Sequence, residues 1–458
     1  MSTAPSPLRP AAAEGDAARV ERFRALLRVP TVSHAEPEDT DWAAFEGFTA
    51  LLPRLYPRLH AALSREVVAG HSLLYRWPGR GGDRPTVLMA HYDVVPASDD
   101  GWRHPPFAAS LDAGPLADAV LHGRGTIDDK GALAAVLEAV EDLVTEGFTP
   151  ESDVYLSFGA DEEVAGTGAA EIVALLDSRR VRPALVLDEG GAVVEPGVVR
   201  GVDRPLAVVG VTEKGITTLQ LVVDEQGGHA STPPRLPATA RLARAITRLT
   251  RSPFPARLNP AAAAFVRTLA DAATGPQRLL FRHVRWTAPV VARLFAALSD
   301  ETRAMVRTTA AVTELRGSAG ANVLAERATA SVNVRVAVGS SVAEAIRHIR
   351  RAIRDPGVRI EVLHASEPSP VSPSTGPAWE DLRAAVLAVH PDVLVTPYTM
   401  LAASDSRHFS SISSAVYRFS PFEIDAAGRA TLHARNESIR VRTWLDGIEI
   451  YRQLLRRR

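Results

Sequence analysis

Two adjacent glutamates, Glu162 and Glu163, carry the most interpretable chemistry in this sequence. They follow a short apolar stretch and precede a glycine-rich turn in the segment LSFGADEEVAGTG, Leu156–Gly168. Neighbouring side chains at the end of a strand point in different directions, so one carboxylate can bind a metal ion while the other faces a water molecule. A water-activating hydrolase needs that combination of Lewis acid and general base. A solvated surface pair is the alternative interpretation, because charged residues are mostly exposed.

Other candidate metal ligands also follow apolar strands or lie in glycine-flanked turns. His91 ends the run Val87–Ala90, and Asp93 lies on the same face of an extended chain, where it can orient the imidazole. The remaining candidates are Asp128 in GRGTIDDKG, Asp188 and Glu189 at the end of the strand pattern ALVL, and His433 in LHARNE. Open α/β sheets place their ligand sites at such strand ends.

These donors are imidazoles and carboxylates, and the chain contains no cysteine. Such a set suits Zn²⁺, with Co²⁺ and Mn²⁺ as less selective alternatives. Five ligands that share one carboxylate would hold two ions, which in two-metal sites lie roughly 3.5–4 Å apart.

The predicted helices and strands that must position these residues indicate two domains. From about residue 16 to 208, helical patterns alternate with apolar strands, which indicates an α/β sandwich with a mostly parallel sheet, and residues 366–458 return to it. Residues 209–365 form an inserted smaller α/β domain, with a helical insertion at 259–307 and a strand of alternating pattern at 328–338. Residues 1–15 are interpreted as a disordered arm.

Composition excludes several classes of protein. With 458 residues the chain is long enough for two domains, and its net charge of −1 argues against nucleic-acid binding. No apolar run reaches the roughly 18 residues of a membrane helix, and the N-terminus lacks the apolar stretch of a signal peptide. We therefore expect a cytoplasmic protein that binds neither membranes nor nucleic acids.

Taken in order, the segments HYDVVP, GRGTIDDKG, DEE, GGHASTPP, VNVR and SDSRHF resemble the zinc-dependent exopeptidase and amidohydrolase family. This family contains carboxypeptidase S, aminoacylase, acetylornithine deacetylase and glutamate carboxypeptidase. The resemblance runs from about residue 20 to the C-terminus and is closest to the carboxypeptidase S and N-fatty-acyl-amino-acid hydrolase branch. It implies a catalytic α/β sandwich with an inserted lid domain, through which a homodimer forms.

The resemblance also implies roles for individual residues. His91, Asp128 and Asp188 would bind one zinc ion, and Asp128, Glu163 and His433 a second. Glu162 matches the general base, and Asp93 the residue that orients His91. The bond between Asp128 and Asp129 would be cis. Independently of the resemblance, Asp129 is predicted to cap the helix that follows, because Asp is favoured at that position.

Three further residue assignments concern the substrate. His229, in the inserted domain, would polarise the scissile carbonyl, often from the partner subunit in this family; a turn histidine without a role is the alternative. Asn322 and Arg335, in ANVLAERATASVNVR, are candidates to bind a substrate carboxylate, and Arg407 competes with Arg335 for this role.

The predicted function is that of a dinuclear zinc hydrolase. It would cleave the amide bond of N-acyl amino acids or small peptides with a free carboxylate, through a metal-bridging water activated by Glu162. A biosynthetic deacetylase or desuccinylase, of the acetylornithine or succinyl-diaminopimelate type, is the alternative and requires a small polar acyl pocket. The helical insertion favours an apolar pocket through these residues, which could equally be domain core: Leu279, Leu280, Phe281, Trp286, Leu294 and Phe295. A non-catalytic metal-binding protein is the rival from another class, but it would be expected to have lost a ligand or the base.

Overall fold

The structure is a computed structural model that describes residues 14–199 and 201–458. It divides into two compact units. The first comprises residues up to Val211 together with Ser372–Pro397 and Ser404–Arg458, and the second comprises Thr212–Val371 and Tyr398–Ala403. The predicted N-terminal arm falls largely outside the described residues, and the first helix begins at Glu14.

Strands and helices are numbered here in chain order. The strands are β1 (Ser64–Val68), β2 (Ser72–Trp77), β3 (Gly82–His91), β4 (Ser110–Leu111), β5 (Val120–His122), β6 (Ser152–Gly159), β7 (Leu185–Val194), β8 (Leu206–Glu213), β9 (Gly215–Asp224), β10 (Gly228–His229), β11 (Thr309–Arg316), β12 (Val323–Leu324), β13 (Arg327–Val336), β14 (Arg359–Ser366), β15 (Leu394–Met400), β16 (Val416–Glu423) and β17 (Ser438–Arg440). The helices are α1 (Glu14–Leu27), α2 (Trp42–Leu55), α3 (Pro57–Ala62), α4 (Lys130–Thr145), α5 (Gly168–Ser178), α6 (Ala238–Thr250), α7 (Pro260–Ala270), α8 (Gly275–Arg282), α9 (Val284–Leu298), α10 (Asp300–Met305), α11 (Val342–Ile353), α12 (Pro377–Val389), α13 (Ala426–Arg429) and α14 (Val441–Leu455).

The large sheet has the strand order β1-β2-β6-β3-β7-β16-β8-β15. Its centre is parallel, because β3 pairs in parallel with both β6 and β7, and β7 in parallel with β16. The antiparallel pairs β2–β6 and β16–β8 flank this centre on its two sides. The central strands are buried, as expected for parallel strands covered by helices on both faces. The predicted fold class, α/β with a mostly parallel sheet, is confirmed.

A second, three-stranded sheet in the first unit has the order β17-β5-β4. Its central strand β5 ends at His122, immediately before the glycine-flanked segment that leads to Asp128. The strand β17 begins directly after Glu437, so this small sheet holds together two loops that are far apart in the sequence.

The second unit is built on a four-stranded antiparallel sheet of order β11-β13-β9-β14. The alternation predicted for residues 328–338 is observed in β13, where Ala328, Ala330, Val332, Val334 and Val336 are buried. These side chains pack with α6 and α11 into one core. The helical insertion predicted at 259–307 contains the four helices α7 to α10.

Within residues 14–199 and 201–458, no helix is both long enough and apolar enough to cross a bilayer.

Candidate active site

The candidate metal ligands of the first unit lie at one edge of the large sheet. β3 ends at His91 and β6 at Gly159, and these two residues are register partners in the parallel pair. Glu162 and Glu163 follow β6 in a short 3-10 helix, and Glu189 lies in β7, the other parallel neighbour of β3. Since the carboxyl ends of parallel strands meet at one edge, the sheet brings these side chains together.

Asp93 connects the ligand on β3 to the glutamate pair. Its buried carboxylate accepts hydrogen bonds from the backbone N–H of Glu162 at 3.2 Å and of Glu163 at 3.0 Å, and from the Ser33 hydroxyl at 2.8 Å. Its Oδ1 also lies 3.3 Å from Nδ1 of His91. Asp93 therefore orients the imidazole, as predicted from the sequence, and in addition fixes the backbone of both glutamates.

Asp128 is held by a residue to which the sequence analysis assigned no role. The buried carboxylate of Glu437 accepts from the backbone N–H of Gly125, Ile127 and Asp128 at 3.1, 2.8 and 3.2 Å, and from the Arg124 guanidinium at 2.8 Å. This arrangement shapes the whole loop before α4. Glu437 lies in the motif LHARNE, four residues after His433, and this position was the only sign in the sequence of a role at the site.

The peptide bond between Asp128 and Asp129 is cis, as predicted. Asp129 occupies the N-cap position of α4, but its side chain makes no cap hydrogen bond. Its carboxylate instead accepts from the backbone N–H of His91 at 3.3 Å. The predicted capping role is therefore wrong, because this side chain is turned towards the end of β3.

Two groups of side chains that could hold a metal ion share Asp128. In one group, the ligand atoms of His91, Asp128 and Glu189 all lie within 4.8 Å of one another, and in the other those of Asp128, Glu163 and His433 do so. Asp128 Oδ1 is 3.0 Å from His91 Nε2, and Oδ2 is 3.0 Å from His433 Nε2. One carboxylate thus faces both imidazoles with its two oxygens, which is the position of a bridging ligand.

Glu189, not Asp188, belongs to the first group. Its Oε1 is 3.7 Å from His91 Nε2, whereas Asp188 accepts a hydrogen bond from the backbone N–H of Ser406 at 2.9 Å. Because successive side chains of a strand point to opposite faces, only one of the two can face His91. The sequence analysis had selected Asp188, whereas in the structure its neighbour Glu189 belongs to the group of side chains that could hold a metal ion.

The electrostatics of these groups suit cations. Hydrogen bonds with Asp128 and Glu163 raise the pKa of His433 to about 10. Burial acts to lower the pKa of His91, but hydrogen bonds with Asp128 and Asp93 outweigh it and hold that pKa well above its ordinary value. Both imidazoles therefore lie in a strongly negative environment, in which a divalent cation would replace their protons.

A buried oxygen without a partner provides a further test of fit. Among the described residues, Oε1 of Glu163 is buried and has no hydrogen-bond partner. An unpaired buried carboxylate oxygen is costly unless an ion neutralises it. Two imidazoles with carboxylates form a donor set that fits Zn²⁺.

Among the described residues, Glu162 belongs to neither of the two groups that share Asp128. Burial raises the pKa of Glu162 well above its ordinary range, and the nearby Asp405 and Asp128 add to that shift, while His91 opposes it. A carboxylate in such a setting can serve as a proton acceptor near neutral pH. Asp405 was not predicted as part of this environment.

The remaining predicted residues are divided between the two units. Arg407 is in the first unit, in the 3-10 helix Asp405–Ser411. His229, Asn322 and Arg335 belong to the second unit. There β10 pairs with β12 so that His229 is opposite Val323, and the Asn322 carbonyl accepts from Ala230 N–H at 2.9 Å. Arg335 lies on β13, with Nε donating to Asn333 at 3.2 Å.

Comparison with known proteins shows which family this chain is similar to. The profile described as peptidase family M20/M25/M40 matches residues 87–457. A probable carboxypeptidase S-like 2 of Dictyostelium discoideum is 33% identical over 443 residues, which cover 95% of this chain and 84% of that protein. The N-fatty-acyl-amino acid synthase/hydrolase PM20D1 of Xenopus tropicalis is 34% identical over 442 residues, which cover 95% of this chain and 85% of that protein.

Solved structures show the same fold. The chain matches the M20 family metallo-carboxypeptidase Sso-CP2 from Sulfolobus solfataricus with a TM-score of 0.69 at 16% identity, over 96% of this chain and 98% of that chain. The fold and the sequence relatives agree with the resemblance carried by the motifs. The chain belongs to peptidase family M20/M25/M40, a family of metal-dependent hydrolases.

Proposed function

We propose that this protein is a dinuclear zinc hydrolase that cleaves the amide bond of N-acyl amino acids or small peptides with a free carboxylate. The observation that carries the proposal is the sharing of Asp128 between two groups of three metal-ligating side chains. His91 and Glu189 would complete the first metal site, and Glu163 and His433 the second. A protein that only stored one metal ion would have no need of a carboxylate facing both imidazoles.

Zinc ions, when bound, would polarise the scissile carbonyl and make a water molecule more acidic. The other steps belong to the chain itself. Glu162 accepts the proton of the attacking water at its carboxylate and later delivers it to the nitrogen of the leaving amine. Asp93 keeps Glu162 in place by accepting its backbone N–H at 3.2 Å.

His229 is proposed to donate a hydrogen bond to the carbonyl oxygen as negative charge develops there. Its side chain is exposed, and its Nδ1 accepts from the backbone N–H of Ser231 at 3.1 Å. Because Nδ1 of a neutral imidazole then carries no hydrogen, the proton lies on Nε2, which becomes the free donor. This tautomer is the one that an oxyanion-binding role requires.

The substrate carboxylate is proposed to bind a guanidinium, with Arg335 and Arg407 as the two candidates and Asn322 as an additional polar contact. Replacement of each arginine by methionine distinguishes them. The variant that loses the carboxylate contact should raise KM for N-acyl amino acids and leave KM for the corresponding amides unchanged. The other variant should affect both substrates alike.

Sequence relatives favour the carboxypeptidase S-like substrate class over the biosynthetic deacetylases. At 33–34% identity, the relatives are named a carboxypeptidase S-like protein and an N-fatty-acyl-amino acid synthase/hydrolase. We extend that substrate class to this chain as a proposal. A cytoplasmic location and a homodimer through the second unit remain part of it, and sedimentation velocity of the purified protein measures the latter.

The experiment that tests the function is amine release from a panel of substrates by zinc-reconstituted protein. The panel contains N-acetyl, N-succinyl and long-chain N-acyl amino acids and apolar dipeptides. We expect turnover of long-chain N-acyl amino acids or dipeptides, and less than about a thousandth of it in zinc-loaded Glu162→Gln, since loss of a general base costs up to about 10⁴-fold. Preference for acetyl or succinyl substrates would instead indicate a biosynthetic deacylase, and absence of turnover with zinc bound would contradict the proposal.

A further inference from the structure

A third group of metal-ligating side chains lies apart from the two that share Asp128. It consists of His104, Asp112 and His122, whose ligand atoms all lie within 4.8 Å of one another. None of these residues has a place in the proposed hydrolytic mechanism, and none was singled out by the sequence motifs. They meet at the small sheet β17-β5-β4 of the first unit.

Strand pairing brings two of the three side chains together. His122, at the end of β5, is opposite Ser110 of β4, and Asp112 lies two residues beyond Ser110, so its side chain shares a face with His122. The imidazole Nε2 of His122 is 3.0 Å from Asp112 Oδ1. The side chains are 20% and 44% exposed, so an ion in solution can reach them.

His104 is carried by a loop that is anchored on both sides of it. Arg103 donates its backbone N–H to the Asn436 side chain at 2.7 Å, and the Pro106 carbonyl accepts from Arg124 N–H at 2.8 Å. The His104 ring stacks on that of His122, with centroids 4.3 Å apart and planes 26° apart. The histidine is therefore held over its partner and is not at the tip of a free loop.

The distances between the three ligand atoms are somewhat longer than those in a zinc site. Ligand atoms around a tetrahedral zinc ion lie about 3.3 Å apart, as bonds of about 2.0–2.1 Å require. Because the ligand atoms of this group lie within 4.8 Å of one another, each distance has to shorten by at most about 1.5 Å. Rotation of the half-buried His104 ring out of the stack supplies that movement, since terminal torsions of this kind are soft.

We propose that His104, Asp112 and His122 form a third zinc site, with water completing the coordination. Two neutral imidazoles and one carboxylate bind Zn²⁺ with a net charge of +1 at the site, and the partial exposure of the ligands leaves room for water. The ion would join the loop that carries His104, and the residue after β4, to β5, and β5 leads directly into the segment that carries Asp128. Its role is structural, because no base comparable to Glu162 belongs to this group.

The test is a count of zinc ions per chain in the full-length protein. Wild type and variants are stripped with chelator, dialysed against buffered Zn²⁺ and analysed by mass spectrometry of the metal. His104→Phe removes the ligand nitrogen and keeps a ring that can stack on His122, and Asp112→Asn removes the negative charge. His348→Phe is the matched control, because His348 also stacks on an aromatic ring, at 4.1 Å from Phe254, but belongs to no metal-ligating group of the described residues.

We expect His104→Phe and Asp112→Asn each to bind one zinc ion fewer per chain than wild type, and His348→Phe to match wild type. Hydrogen exchange should also slow in residues 101–112 when Zn²⁺ is added to wild type, and not in His104→Phe. Because the readout is a difference of one ion, it is independent of whether the site at Asp128 holds one ion or two. Equal zinc counts in wild type and both ligand variants, with circular dichroism showing all of them folded, would overturn the proposal.

Discussion

Replacement of Glu437 by glutamine should lower both the stability of this fold and the zinc affinity of its metal site. The Oε1 atom accepts from the N–H groups of Ile127 and Asp128 and from the Thr126 hydroxyl, and the Oε2 atom accepts from Arg124 and Gly125. An amide has one oxygen and one NH₂ group. Whichever way the glutamine turns, at least two donors lose their acceptor and face another donor.

The expected cost follows from those contacts. Hydrogen bonds to a charged group contribute about 1.5–3 kcal/mol each, and a buried pair broken on one side costs about 3–5 kcal/mol. Both Arg124 and Glu437 are buried, with side-chain exposures of 4% and 0%, so solvent cannot replace the lost partner. We expect Glu437→Gln to lower the free energy of unfolding by about 3–5 kcal/mol. Because the loop that carries Asp128 is loosened as well, zinc affinity should fall about 10–100-fold.

The assay combines urea unfolding of the metal-free protein with competition against a chromophoric zinc chelator. Glu138→Gln is the matched control, since Glu138 is also fully buried and binds a guanidinium, that of Arg22, at 2.8 and 2.5 Å. It should lose stability, though less than Glu437→Gln because the Arg22 side chain is 26% exposed, and it should keep its zinc affinity. If Glu437→Gln lost stability and still bound zinc within twofold of wild type, the claim that Glu437 positions Asp128 would be refuted.

Three further predictions concern other parts of the molecule. Asp93→Asn removes an acceptor from the backbone of the glutamate pair and should lower kcat/KM by roughly 100-fold, as small displacements of catalytic groups do. Ser33→Ala removes only one donor to the same carboxylate and should lower kcat/KM less than about threefold. Equal effects of the two substitutions would argue against a positioning role for Asp93. Zinc affinity should rise about tenfold per pH unit between pH 6 and 8, because the pKa of His433 is raised to about 10 and the metal must displace its proton; a flat profile by titration calorimetry would contradict this. Burial lowers the pKa of Lys214 from 10.5 to about 7, so between these values the unfolded chain binds more protons and stability should rise with pH. Lys214→Met should remove up to about 1.4 kcal/mol per pH unit of that slope in urea unfolding between pH 8 and 10, and an unchanged slope would show that the lysine is charged in the fold.

Much of the site could be predicted because its residues follow the ends of apolar strands. The run before His91 and that before Glu162 both indicate strands, and parallel strands bring their carboxyl ends to one edge. The structure does bring His91, Asp128, Glu163 and His433 together.

The choice between Asp188 and Glu189 depended on which face of the strand each side chain points to, and the sequence pattern does not show this. The strand that precedes them is apolar on both faces, as buried parallel strands are, so its pattern does not reveal which face looks towards His91. The pairing register of β7 decides this, and it is fixed by neighbours elsewhere in the chain.

Contacts to the backbone were equally hidden from the sequence. Glu437 is 309 residues from Asp128, and it recognises main-chain N–H groups that every loop has.

Within the helical insertion, an apolar residue type did not predict burial. Phe281 and Phe295 are core residues with 2% exposure, whereas Leu279 and Trp286 are 64% and 85% exposed. The exposed pair is therefore not domain core in the described structure.

The central claim is that one carboxylate, that of Asp128, joins two metal ions. Anomalous diffraction at the zinc edge from crystals of the zinc-loaded protein tests it most directly. We predict two peaks about 3.5–4 Å apart on either side of Asp128, with Glu189 bound to the ion that His91 holds and Asp188 bound to none. A single peak at this site, or two ions without Asp128 between them, would contradict the account.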